Sequence, residues 1–263
     1  VYEYYGRIEL QKKVGFVSSE KPEAKKSLSL LKKIYKNVPP EKADVIVALG
    51  GDGTVLKSLH KYLNKKIPIY GMNRGNIGFL MNQYSEKNLE KRLDEAIPYK
   101  LYPLKIKCLD KNGKTTMGLA FNDVSMIRSS SKIAKIKIKV NGNNRLNEFL
   151  GDGCLISTPA GSSAYNLSLR GPVLPVNAQI LALTPISPYR PRRWRGALLN
   201  NNAQIELLAL EPDRRPVRVE ADFIEFKNIK KLEIKLDKDF FMNLLFDPGH
   251  NLEERIINEQ FNN

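Results

Sequence analysis

The rhythm of apolar residues changes near Leu101. Before that point, short unbroken apolar runs alternate with stretches where apolar residues recur every three or four positions. Val14–Val17, Val45–Leu49 and Ile67–Met72 are runs of the first kind. They predict strands buried on both faces of a parallel sheet. Pro22–Lys36, Val55–Leu63 and Ser85–Ala96 have helical spacing. Pro22 suits the first turn of its helix, and Pro39-Pro40 ends it. Glu86 falls in the first turn of the third helix. Strands alternating with helices imply an α/β domain with a parallel sheet.

After Leu101 the pattern turns to strands with little helix between them. The runs are Leu104–Leu109, Met117–Ile127, Ile133–Val140, Arg145–Thr158, Gln204–Leu210, Val217–Phe226 and Lys231–Leu236. Asn112-Gly113 and Asn141-Gly142 sit between extended segments, as tight hairpin turns do. This half reads as an antiparallel, sandwich-like β-rich domain. Phe241–Phe246 is a further candidate strand, and Leu252–Gln260 a candidate helix returning to the first domain. The expected division is 1–100, completed by 247–263, and 101–246.

The stretch Asp44–Leu63 carries the first candidate chemistry. An apolar run stops at Gly50-Gly51-Asp52-Gly53-Thr54, and a helical pattern follows. In open α/β sheets such a turn lies at the carboxyl ends of the strands, where ligands bind. Glycines let backbone approach a ligand, and the N–H groups at a helix start favour anions. The dinucleotide fingerprint and the P-loop pattern both fail, because Leu56 stands where each needs glycine. A passive phosphate cradle has no reason to hold a carboxylate. Asp52 makes sense handling a hydroxyl proton or a metal beside phosphates. The structural alternative is a helix N-cap.

Composition narrows the field. The chain has 263 residues, 42% hydrophobic and 27% charged, enough for two globular domains. No apolar run approaches the ~18 residues of a membrane helix, and Val1–Tyr5 has no signal-peptide character. Two cysteines, Cys108 and Cys154, make neither a disulfide framework nor a metal spacing, so a cytoplasmic setting is expected. The net charge of +15 could mean a polyanionic partner. Yet Lys135, Lys137 and Lys139 alternate with apolar residues, as do Lys231, Glu233 and Lys235, so they decorate outer strand faces. Nucleic-acid binding is not expected. With only His60 and His250, a Ser–His–Asp triad or a histidine zinc site is not expected. No metal-ligating set stands out.

A second glycine-and-hydroxyl segment runs from Gly151 to Tyr165. Its small hydroxyls, open backbone and one polar-tipped aromatic suit a nucleoside; its serines could equally cap a helix near Ala164. Asn122-Asp123 can grip a ribose diol or make a turn. Asp222 near a strand end is a further carboxylate of either kind. Arg192, Arg193 and Arg195 flank Trp194, the only tryptophan. They could clamp phosphate, stack on a base, or serve a subunit interface or a structural cation–π contact, the last two being favoured.

Taken together, these segments resemble the NAD kinase family. Asp44–Thr54 is similar to its GGDGT motif, and Asn73–Leu80 to its NRG-x-x-GFL segment. Phe121–Val124 resembles N-[DE]-V, and Asp152–Pro172 resembles DG…STP-x-GSTAY-x-LS…GP. Val219–Asp222 and the tail Phe246–Phe261 also look familiar. GGDGT alone is shared with lipid kinases and phosphofructokinases.

The resemblance implies an enzyme that moves the γ-phosphoryl group of ATP, or of polyphosphate, to the 2′-hydroxyl of the adenosine ribose of NAD, with Mg²⁺ or another divalent cation. Asp52 would be the base. Leu56 and Phe79 would line a pocket for half of the dinucleotide, and Gly51, Gly53 and Thr54 would meet substrate at the turn. Asn122, Asp123 and Asp152 would hold nucleoside groups. Thr158, Ser163, Ala164, Tyr165 and Ser168 would contact base and ribose, with Asp222 nearby. NAD and ATP are the implied partners, without nucleic acid or membrane, and the chain would form a homo-oligomer, a dimer or tetramer. The sequence departs from the family at Asp123, where Glu is commoner, at Ala160 and Ser163, where Thr is usual, and at Leu169-Arg170 and Phe223. A lipid or sugar kinase sharing the GGDGT turn, or a non-catalytic dinucleotide-binding protein, is the alternative.

Overall fold

A computed structural model describes residues 12–75 and 78–249. The expected helix Leu252–Gln260 and His250 lie outside these residues. The chain divides into two compact units. One takes in the chain up to Leu101 and resumes at Phe241; the other is Tyr102–Phe240.

The first unit contains β1 (Val14–Ser18), α1 (Pro22–Ile34), β2 (Val45–Gly50), α2 (Asp52–Lys61), β3 (Ile69–Asn73), α3 (Leu89–Glu95) and β4 (Ile97–Leu101). The second holds β5 (Leu104–Asp110), β6 (Thr115–Ala120), β7 (Asp123–Arg128), β8 (Ala134–Val140), β9 (Asn143–Gly151) and β10 (Gly153–Ser157). It continues with α4 (Tyr165–Ser168), β11 (Ile180–Ile186), β12 (Ala197–Asn200), β13 (Ile205–Ala209), β14 (Val217–Ala221), β15 (Ile224–Phe226) and β16 (Ile229–Leu236). The last strand, β17 (Met242–Phe246), returns to the first unit.

The first sheet has the order β1-β2-β3-β17-β4, parallel except at the β4 edge. Every residue of β2 is buried, as its unbroken apolar run requires. Val45, Val47 and Leu49 share a cluster with Ala24 and Leu31 of α1 and with Tyr70 and Met72 of β3. Gly71 faces the opposite side, where a Cβ would meet Val55 of α2 at 2.8 Å. The helices therefore cover both faces, and each fully buried aliphatic side chain of β2 contributes roughly 1.5–3 kcal/mol.

Phe241–Phe246 was expected to close the β-rich part. Instead β17 inserts between β3 and β4. Met242, Leu244 and Phe246 are buried, and Phe246 packs edge-on against Tyr99 at 5.2 Å. Beyond the strand, Asp247 accepts from Tyr70 Oη at 2.5 Å and from Arg92 Nη2 at 2.6 Å. The expected helix Ser85–Ala96 is shorter, because Asn88 adopts φ 57° and α3 starts after it.

The second unit is a sandwich of two six-stranded antiparallel sheets, ordered β12-β11-β10-β7-β14-β15 and β6-β5-β16-β13-β8-β9. One core joins them, with Ile136, Ile138 and Phe149 from one sheet and Val124, Met126, Cys154 and Ile156 from the other. The alternating lysines of β8 are half-buried between buried neighbours, and Lys231 and Lys235 of β16 are half-buried and exposed beside buried Leu232 and Ile234. The Asn141-Gly142 hairpin has φ 52° and 76°, the geometry of a two-residue I′ turn.

Three expected strands are each broken in two. Met117–Ile127 becomes β6 and β7, and Arg145–Thr158 becomes β9 and β10; each of these pairs divides between the two sheets, while Val217–Phe226 becomes the hairpin β14–β15. The breaks between sheets fall at Phe121-Asn122 and at Asp152, and the second separates the mostly exposed β9 from the wholly buried β10. β4, β11 and β12 were not expected: Pro98 interrupts β4 and β12 is only four residues long, whereas the apolar run Ile180–Leu183 of β11 could have been read as a strand.

Gly153 shows how tightly the central strands meet: a Cβ there would lie 2.1 Å from the Met126 carbonyl oxygen. Gly153→Ala should therefore cost about 2–4 kcal/mol in urea unfolding. An unchanged midpoint would mean that β7 and β10 can separate without penalty.

Candidate active site

In the first unit the site grows from the end of β2. Gly51 precedes α2 with φ −123° and ψ −171°, and Asp52 is the first helical residue. Asp52 does not cap its own helix. Its carboxylate reaches the segment after β3: Phe79 N–H donates to Oδ2 at 2.9 Å and Leu80 N–H donates to Oδ1 at 2.9 Å. Arg74 N–H donates to Gly50 O at 2.6 Å, so the two loops are tied twice. Arg74 itself stacks on Tyr84 at 3.6 Å and donates through Nε to Ser27. Gly53 has open space where a Cβ would go. Leu56 is buried at 9% exposure, and Phe79 is half-buried.

Beside this turn lies a cleft of about 580 Å³, bordered by Ser18, Lys21, Gly51, Thr54, Lys57 and Lys61. It opens at the carboxyl ends of β1 and β2, where the amino end of α2 adds its dipole. Ser18, Lys21, Lys57 and Lys61 were not singled out from sequence. Lys57 and Lys61 lie one helical turn apart on α2, a spacing that could have drawn attention to them.

In the second unit the candidates gather on the outer face of the sheet containing β7, β10 and β14. Strand alternation points Val124, Met126, Val217 and Val219 into the sandwich, leaving Asp123, Ser125, Arg218 and Glu220 on the other side. Asp222 sits in the turn after β14 with φ 53°. It accepts from the N–H groups of Phe121 at 2.8 Å, Asn122 at 2.9 Å and Asp123 at 3.3 Å. Its work is to pin the first strand break. The Asn122 Oδ1 atom is buried with no hydrogen-bond partner among the described residues. Asp152, at the other break, pairs with Arg128 Nε at 2.6 Å.

The segment from Pro159 to Leu174 sorts by direction. Ser162 Oγ donates to Pro159 O and accepts from Leu174 N–H, and Asn166 Nδ2 donates to Pro172 O while its Oδ1 accepts from Thr184. These residues are buried. Ser163 is half-buried, while Ala164, Tyr165 and Ser168 are exposed. Thr158 belongs with the inward group: its hydroxyl donates to Phe121 O at 2.7 Å and accepts from Gly161 N–H. No serine caps α4, whose N-cap is Ala164. Gly161 lies so close to Asn122 that a Cβ would come within 2.1 Å of its carbonyl oxygen.

Burial, with the charges of Asp222 and Glu220, pushes Asp123 up to about 7. Burial and the charges of Glu220, Asp123 and Asp152 raise the Tyr165 hydroxyl. The exposed ring and the carboxylates thus share one electrostatic environment. Arg218 and Glu220, joined at 2.7 Å, belong to it and were missed. The alternation of Val217–Ala221 could have placed both on the outer face.

The arginine-rich loop after β11 serves packing. Trp194 is partly buried against Phe149 at 5.6 Å, and the Arg190 and Arg192 guanidinium groups lie over Tyr189, not Trp194.

A family model described as the ATP-NAD kinase N-terminal domain matches residues 1–100, and one described as the ATP-NAD kinase C-terminal domain matches residues 121–219. The chain belongs to the NAD kinase family. Its relatives include the NAD kinase of Rhizobium meliloti (strain 1021), 47% identical over 250 residues, or 95% of this chain and 97% of that protein. The NAD kinase of Caulobacter vibrioides is 46% identical over 249 residues, 95% and 96% of the two chains. Among solved structures, yeast NADH kinase complexed with NADH aligns with a TM-score of 0.81 at 21% identity, covering 95% of this chain and 87% of that one. An NAD kinase from Archaeoglobus fulgidus in complex with ATP aligns with a TM-score of 0.74 at 23% identity, covering 93% and 98%. The α/β unit and the β-rich unit are the fold that these structures share. The expected activity class, a kinase of NAD and hence a transferase, stands with the family.

Asp123 supplies a test by pH. Its folded value near 7 lies above the ~3.9 of an unfolded aspartate. The protonated form thus favours the fold below about pH 4, and that contribution is lost as pH rises through about 7. Asp123→Asn should match the wild-type unfolding free energy near pH 4 and exceed it by about 1 kcal/mol or more near pH 8. A constant difference across that range would mean that Asp123 titrates normally.

Proposed function

We propose that this kinase of NAD transfers the γ-phosphoryl group of ATP, or a phosphoryl group of polyphosphate, to the 2′-hydroxyl of the adenosine ribose, with Asp52 as the base. The carrying observation is the grip on Asp52 by the N–H groups of Phe79 and Leu80. Two donors, one on each oxygen, fix the direction of the carboxylate. That suits phosphoryl transfer, in which positioning carries much of the catalysis.

The lysine-bordered cleft beside the turn supports a polyphosphate donor: Lys21, Lys57, Lys61 and the start of α2 all favour anions. Among the described residues no group of three or more His, Cys, Asp or Glu side chains stands together as a metal cage. Magnesium bound with the donor would neutralise the charge of its phosphates. On the second unit, the exposed Tyr165 ring offers a face for a base, and Asp123 offers acceptors for ribose hydroxyls. The orphaned Asn122 Oδ1 fits an acceptor awaiting a ligand donor, since an unmet buried acceptor costs about 1–3 kcal/mol. Gly51, Gly53, Thr54, Leu56, Phe79, Asp152, Ser163, Ala164 and Ser168 complete the substrate-contacting set in this reading. Thr158 and Asp222 support it from behind. A cytoplasmic setting and a dimer or tetramer belong to the same proposal. No helix among the described residues is long and apolar enough to cross a membrane.

Asp52→Asn should lower NADP formation by about 10²–10⁴-fold. Its amide NH₂ would face one of the two donors, so about 1 kcal/mol of stability should go with it. Near-normal turnover would remove Asp52 from the mechanism. In the same assay, Lys57→Glu should raise the KM for ATP about tenfold and leave the KM for NAD unchanged. A rise for NAD alone would assign the cleft to the acceptor. Supplying diacylglycerol in place of NAD should give no phosphorylated product.

A further inference from the structure

Asp152 stands where the chain leaves β9 for β10, and its main chain is clamped from both sides. Its N–H donates to Ile186 O at 2.9 Å, and its carbonyl accepts from Arg128 N–H at 2.8 Å. With the backbone held, only the carboxylate can turn. Arg128 restricts that motion as well, because its Nε donates to Asp152 Oδ1 at 2.6 Å. Arg128 is braced in turn. Its Nη1 donates to Ser130 O at 2.7 Å, and its carbonyl accepts from Arg218 Nη1 at 2.9 Å.

Both side chains of the Arg128–Asp152 pair are 36% exposed. At that exposure an ion pair adds only about 0.2–1 kcal/mol to stability. The bracing is more than such a return needs. What it supplies is aim: one carboxylate oxygen is engaged, and the other keeps a fixed direction on a fixed backbone.

We propose that Arg128 is a positioning residue for NAD, holding the Asp152 carboxylate so that its second oxygen accepts a hydroxyl or amide proton of the nucleoside. This rests on the assignment of Asp152 to nucleoside binding. Arg128 never touches the substrate; it acts through Asp152. Lysine could keep the charge but not the rigid planar donor geometry, so it should restore the aim only in part.

The test is steady-state kinetics with NAD and Mg-ATP on the full chain. Arg128→Ala should raise the KM for NAD about fivefold or more, with kcat within about twofold and the KM for ATP unchanged. Arg128→Lys should fall between Ala and wild type, and it decides the matter if Arg128→Ala fails to fold. In an Asp152→Asn background, Arg128→Ala should add nothing further, because its effect passes through the lost carboxylate. An unchanged KM for NAD in Arg128→Lys, or additive effects in the double variant, would overturn the positioning role while leaving the kinase reading intact. A wild-type chain that forms no NADP would overturn the kinase reading itself.

Discussion

A carboxylate held by two main-chain N–H groups organises the first unit. Asp52 begins α2, but its side chain serves the segment after β3, where it meets Phe79 and Leu80. Without that acceptor the glycine turn and the 78–80 segment would lose their side-chain tie, leaving Arg74 N–H on Gly50 O as the main-chain link. Charge-assisted hydrogen bonds of this kind are stronger than neutral ones and directional. The same contact therefore builds the loop and fixes where the charge sits. The buried β2 behind it gives the turn a rigid base, and the open glycine at position 53 leaves room in front.

The second unit solves a related problem in another way. Its chain passes between sheets at Phe121-Asn122 and again at Asp152, and each passage exposes main-chain groups that the ladders no longer satisfy. Asp222 collects the N–H groups at the first passage. Arg128 and Ile186 hold the second. Polar side chains placed for folding thus end up beside the outer sheet face, next to Asp123 and Tyr165. Burial, with the charges of Asp222 and Glu220, raises the proton affinity of Asp123 there.

Much of this could be read from the chain. Unbroken β2, amphipathic α1 and α2, and the alternating lysines of β8 each follow from local period, because burial on two faces, one stripe or one face leaves distinct patterns. The parts that could not be read depend on long-range geometry. Asn122-Asp123 offers a turn inside Met117–Ile127, but nothing local says that the two halves join different sheets. Nothing in Phe241–Phe246 says which unit claims it, since a buried strand looks alike in either sheet. Thr158 looked like a ligand group because hydroxyls near glycines often are; its partner, Phe121 O, lies 37 residues away. Arg128 drew no notice, for its meaning comes only from Asp152.

The direct measurement of the central claim is a crystal structure with NAD and a non-hydrolysable ATP analogue bound. The expected result places the adenosine ribose 2′-oxygen within hydrogen-bond distance of an Asp52 carboxylate oxygen, about 2.6–3.2 Å, with the Phe79 and Leu80 N–H bonds retained. A 2′-oxygen held by some other group, with Asp52 turned away from the nucleotide, would contradict it.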